Sequence, residues 1–135
     1  MTRMTWMIVE DDPAIRDVLE TMCELWDFDA LIFTDGFKAM EYLSKEELGD
    51  KRPALALLDI RVPGPWGHEI SARIREHPDL NNIGIILMTA YELPGPDKEE
   101  YLIRSGADRL IYKPLPSMDE LLQLVTDVLE ARDNS

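Results

Sequence analysis

Residues 54–59 read ALALLD, five apolar residues in succession closed by an aspartate. A strand with one face in water alternates apolar and polar side chains. A strand covered on both faces, as in a parallel sheet sandwiched by helices, reads as a near-continuous apolar run. IGIILMT (83–89) has the same character and closes on a threonine. TWMIV (5–9), ALIF (30–33) and RLIY (109–112) are further short runs of strand type. Between them, apolar residues recur at helical spacing: Ile15, Val18, Leu19, Met22 and Trp26, then Ala39, Met40 and Leu43. Ile70 and Ile74, with Arg73, fall on a helix after Gly67, and 97–105 reads as a weaker, polar one. Met118, Leu121, Leu122, Val125 and Leu129 mark the last.

The helix ends agree. Asp12 before Pro13 is an N-cap followed by proline at the first helical position. Asp35 can cap the second helix, and Ser117 with Glu120 makes a capping box for the last. KEELGDKRP (45–53) is a polar connection, and ELPGP (92–96) reads as a rigid loop, since two prolines cannot continue a helix. Five strands alternating with five helices imply an α/β fold built on a parallel sheet with right-handed crossovers. Such open sheets bind ligands at the carboxyl ends of their strands.

Those ends carry the chemistry. The first strand runs out in MIVEDDPAIRDVLE (7–20), where Glu10, Asp11 and Asp12 stand side by side although like charges repel. The third ends in Asp59, the fourth in Thr89, the fifth in Lys113 before Pro114. Each has an ordinary explanation. Acids favour a helix N-terminus, an aspartate can make an Asx turn, threonine favours strands, and lysine is a solvated cation. If the first strand lies between its neighbours, however, the ends converge on three carboxylates, a hydroxyl and an ammonium. Clustered carboxylates are tolerated around a hard divalent cation, and Mg2+ suits one or two carboxylates, a carbonyl and waters. Asp12 is then turned to the cap.

The chain has 135 residues, one domain's worth, and is 45% hydrophobic, enough for a core. No apolar run approaches the roughly 20 residues of a membrane span, and no basic-then-apolar stretch suggests a secretory signal. Its one cysteine, Cys23, has no partner for an internal disulfide. A cytoplasmic protein without membrane contact is expected. The formal charge of −13, from 27 acidic and 14 basic residues, argues against direct nucleic-acid binding.

VEDDPAIR (9–16), LLDIRVPGPWG (57–67), ILMTA (86–90) and SGADRLIYKP (105–114) together resemble the receiver domain of two-component response regulators. The resemblance covers residues 5–131, and a single receiver domain over 1–135 is expected. It implies the flavodoxin-like doubly wound (βα)5 fold, with a five-stranded parallel sheet of order 2-1-3-4-5. It implies a phosphorylation-controlled switch in which a partner histidine kinase or phosphotransfer protein passes a phosphoryl group to Asp59. Asp11 and Asp59 would bind Mg2+, with the Arg61 carbonyl as a further ligand and Glu10 acting mostly through water. Thr89 would bond a phosphoryl oxygen, Lys113 would pair with the phosphoryl group, and Pro114 would follow a cis bond. The chain would catalyse its own aspartyl phosphorylation and dephosphorylation without being a classical enzyme. Output would pass from the surface of helix four, strand five and helix five to a partner protein, to an output domain outside this chain, or to a homodimer.

Two departures stand out. Leu110 occupies the position where the family usually has an aromatic switch residue, and the nearest aromatic is Tyr112. The segment from Thr89 to Lys113 carries ELPGP, so a short or displaced helix is expected there. Leu110 keeps open a second class of function, a phosphate-independent interaction module of receiver shape. A phosphohydrolase is disfavoured, because Arg61 stands where a second aspartate would act as general acid. Cys23, Trp6 and Trp26 read as packing residues, His68 and His77 as surface residues, and Trp66 as a neighbour of the metal.

Overall fold

The computed structural model describes residues 3–134. Strands β1 (Thr5–Val9), β2 (Asp29–Phe33), β3 (Leu55–Asp59), β4 (Gly84–Thr89) and β5 (Arg109–Tyr112) form one parallel sheet in the order β2-β1-β3-β4-β5. Helices α1 (Pro13–Leu25), α2 (Gly36–Leu43), α3 (Gly67–Glu76), α4 (Gly95–Ser105) and α5 (Met118–Asp133) alternate with them. This is the parallel sheet that the apolar runs predict, in the doubly wound (βα)5 arrangement that the resemblance implies.

Side chains of successive strand residues point to opposite faces, so each run feeds two cores. Met7, Val9, Ala56, Leu58, Ile85 and Leu87 meet Ala39 and Leu43 of α2 and Ile70 and Ile74 of α3. Trp6, Ile8, Leu55, Leu57, Ile86 and Met88 meet α1 and α5 through Leu19, Cys23, Leu121 and Val125. Trp6, Trp26 and Phe28 pack ring to ring, with centroids 5.4 to 6.1 Å apart. Cys23 is buried.

The caps form as expected. Asp12 accepts from the Ala14 N–H, Asp35 from Lys38 and the Ser117 hydroxyl from Glu120. Five expectations are corrected. ELPGP is not all loop: Gly95 and Pro96 make the first turn of α4, where proline forfeits no intrahelical bond. That helix is not short, running 11 residues. Val18 is 45% exposed despite its place in the α1 stripe. His77 is buried: its Nδ1 accepts from the Asp79 N–H and its Nε2 donates to the Lys45 carbonyl. His68 is half-buried, against the Tyr101 ring. No helix among the described residues is long and apolar enough to cross a membrane.

Candidate functional site

Strand pairing fixes where each side chain leaves the backbone. Asp59 pairs with Met88, and Thr89 with Tyr112. The ladder runs one residue past the strands: Glu10 N–H donates to the Phe33 carbonyl at 3.1 Å, Ile60 N–H to Met88 at 2.8 Å, and Lys113 N–H to Thr89 at 2.8 Å. Arg16, one turn into α1, donates to the carbonyls of Glu10 and Asp11 and ties down the acidic turn. Sequence reasoning missed Arg16, whose helical position gave no sign of the turn it reaches.

Carboxylate oxygens of Glu10, Asp11 and Asp59 lie within 4.8 Å of one another. Glu10 and Asp59 are buried and Asp11 is exposed. The Lys113 ammonium donates to Oε1 of Glu10 and, at 3.1 Å, to Oδ2 of Asp59. Glu10 Oε2 is buried without a hydrogen-bond partner. Burial, and then the Asp59 carboxyl beside it, push the Glu10 carboxyl up to about 8, against the pull of Lys113. The two carboxyls raise the Lys113 ammonium against its own burial. One cation thus serves two buried acids, and a third acid stands at the mouth. An all-oxygen donor set with excess negative charge and an orphaned buried oxygen fits a hard divalent cation. The Lys113–Pro114 peptide is cis.

Two loops close around this cluster. After Asp59, the Arg61 N–H reaches back to Asp59 Oδ1 at 3.4 Å. After Thr89, which is 3% exposed, the Tyr91 N–H donates to Thr89 Oγ1 at 3.1 Å. The side chains of the two donors then meet. The Arg61 guanidinium lies 3.9 Å from the centre of the Tyr91 ring and 5.5 Å from that of Trp66. Trp66 is the N-cap residue of α3, and Glu69 accepts its N–H at 2.7 Å. His68 continues the line, 6.0 Å from Trp66 and 4.8 Å from Tyr101 of α4, centre to centre. This row of rings around a guanidinium was not legible in the sequence, because Arg61, Trp66 and His68 lie in one segment, Tyr91 and Tyr101 in another, and only the fold aligns them. Leu110 is buried in the core against which Tyr101 and Leu102 pack, and the Tyr112 hydroxyl reaches the Leu93 carbonyl at 3.5 Å.

The fold and this site define the receiver class of two-component switches. The family model for the response regulator receiver domain matches residues 6–126, and the chain belongs to that family, whose members are phosphorylation-controlled switches. The response regulator Rcp1 of Synechocystis sp. is 35% identical over 89 residues, a match covering 62% of this chain and 59% of that protein. An uncharacterized 14.6 kDa protein of Leptolyngbya boryana is 32% identical over 125 residues, covering 93% and 89%. A solved CheY-like receiver domain protein from Methanospirillum hungatei superposes with a TM-score of 0.79 at 26% identity, with 98% of each chain covered. The receiver domain of the sensor histidine kinase PA1611 from Pseudomonas aeruginosa superposes at 0.78 and 23% identity, covering 96% and 99%. That domain was solved with a magnesium ion coordinated in its active-site cleft.

Proposed function

We propose that this chain accepts a phosphoryl group on Asp59 from a partner histidine kinase or phosphotransfer protein, as a single receiver domain in the cytoplasm. The observation that carries the reading is the convergence of Glu10, Asp11 and Asp59 with Lys113 bonded to two of them. Asp11 and Asp59 would hold Mg2+ with the Arg61 carbonyl, and Glu10 would act mostly through water. Mg2+ bound there supplies neutralisation of the incoming phosphoryl oxygens.

An Asp59 oxygen attacks phosphorus in line and the P–N bond to the donor imidazole breaks; its electron pair stays on that nitrogen, and the ring, carrying its proton on the other nitrogen, leaves as neutral imidazole. Lys113, freed from Asp59 by that bond formation, pairs with the phosphoryl group. Thr89 accepts from Tyr91, so its own O–H remains to donate to a phosphoryl oxygen. Water attacking the acyl phosphate on the opposite side reverses the state. The chain is thus the catalyst of its own phosphorylation and dephosphorylation rather than a classical enzyme. The signal leaves through the loop after Thr89 and the face formed by α4, β5 and α5, toward an output protein or a second copy of the chain. Leu110, fixed in the core, favours this route over an aromatic ring turning at that position.

Intact mass after incubation with Mg2+ and a small acyl phosphate tests the assignment. Wild type gains one phosphoryl mass and Asp59→Asn gains none. An unchanged rate in Asp59→Asn removes Asp59 as acceptor. A wild type that never gains the mass favours a phosphate-independent interaction module.

A further inference from the structure

The loop between β3 and α3, residues 60–66, is held on its far side by α2. Gly36, the first residue of α2, donates its N–H to the Pro63 carbonyl at 2.8 Å. A Cβ on Gly36 would stand 2.0 Å from the Pro65 carbonyl oxygen. Both sides of that contact are backbone, so no rotamer change relieves it. The backbone of Gly36 is not left-handed, so glycine is required there for space alone. Next to it, Phe37 lays its ring on Gly64, where a Cβ would stand 2.7 Å from the ring. Gly64 has φ +82, a conformation that glycine adopts without strain. Phe37 is 67% exposed, so the core does not explain its place.

The near side of the same loop is the site. Arg61 N–H meets Asp59 Oδ1, and Gly67 N–H bonds to the Ile60 carbonyl at 2.9 Å. A Cβ on Gly67 would stand 2.3 Å from the Asp59 carbonyl oxygen. Val62 is buried between the two ends, and Pro63 and Pro65 stiffen the backbone. A displacement imposed at Pro63 and Pro65 is therefore carried back to Arg61 and Asp59.

We infer that the N-terminus of α2, through Gly36 and Phe37, positions the loop that presents the Asp59 carboxylate and the Arg61 carbonyl, and so sets how tightly the cleft holds a divalent cation. Both are positioning residues that touch no reacting atom. The inference rests on the reading of the acidic cleft as a Mg2+ site.

Calorimetric titration of Mg2+ into the folded protein, well below its melting temperature, tests it. Gly36→Ala weakens binding about tenfold, equivalent to ~1.4 kcal/mol. Phe37→Ala weakens it roughly threefold, and Phe37→Tyr restores it. Lys38→Ala, on the same helix, binds as wild type. A merely structural role would lower the melting temperature and leave the affinity of the folded protein unmoved. Wild-type affinity in folded Gly36→Ala and Phe37→Ala overturns the inference. If Gly36→Ala does not fold, wild-type affinity in Phe37→Ala overturns it alone. Asp11→Asn separates the two claims. If Asp11→Asn weakens binding while the α2 variants do not, the inference falls and the site stands. If wild type binds no Mg2+, or Asp11→Asn binds as wild type, the site reading fails and takes the inference with it.

Discussion

Glu10 is fully buried at the end of β1, with one oxygen on Lys113 and the other without a partner. Its folded carboxyl titrates at about 8, whereas the ordinary value is 4.5. Across that window the native state holds a proton that the unfolded chain has released, so stability is fully present below the lower value and falls as pH rises through the upper one. In Mg2+-free solution, urea unfolding should show that decline, with a slope of at most about 1.4 kcal/mol per pH unit. Glu10→Gln should remove it. Parallel profiles for the two proteins would assign the proton elsewhere. Glu10, Asp11, Asp59, Thr89 and Lys113 were legible because each closes a strand-like run. His77 was not, since nothing in the sequence places the Lys45 carbonyl or the Asp79 N–H beside it. Val18 misled for a related reason: helical spacing marks an apolar stripe but not how far the neighbouring elements cover it.

The elements were legible through their periods and caps, and the errors fell where a segment changes type. ELPGP holds both the end of a loop and the first turn of α4, because the proline that stops a helix is also the one tolerated at its start. The two loops over the site act as a pair through the Arg61–Tyr91 stack. On the proposed phosphorylation of Asp59, that stack would cover the phosphoryl group and exclude water, so the phosphorylated state should outlast that of receivers with small or acidic side chains at the positions of Arg61 and Tyr91. Arg61→Ala and Tyr91→Ala should each speed the first-order loss of phosphoryl in excess Mg2+, by up to about tenfold for about 1.4 kcal/mol of barrier. Because each side chain is the other's support, the double variant should lose phosphate little faster than the quicker single one. Unchanged rates in all three would show that the stack leaves the water path open.

At the scale of the whole molecule, a parallel sheet covered on both faces followed from the near-continuous apolar runs, and the strand order from the resemblance to receiver domains. What stayed hidden was contact between distant segments: α2 against the β3–α3 loop, and Asp108, which joins Arg75 of α3, Arg132 of α5 and the Ile85 N–H of β4. Strand β3 lies between β1 and β4 with all five residues buried, whereas Ser105 is the one buried residue of α4. Amide hydrogens exchange with solvent only when their bonds open, and the opening free energy rises with local burial. The Leu57 and Leu58 amides should therefore exchange only through global unfolding, and those of Glu100 and Tyr101 by local opening well before it. Equal protection in the two segments would contradict this. Asp59 thus stands on a strand expected to open late, and the Arg61–Tyr91 stack links its loop to the one that leads into α4, expected to open earlier, so a bond made at Asp59, as proposed, would alter the opening of α4 without loosening its own foundation.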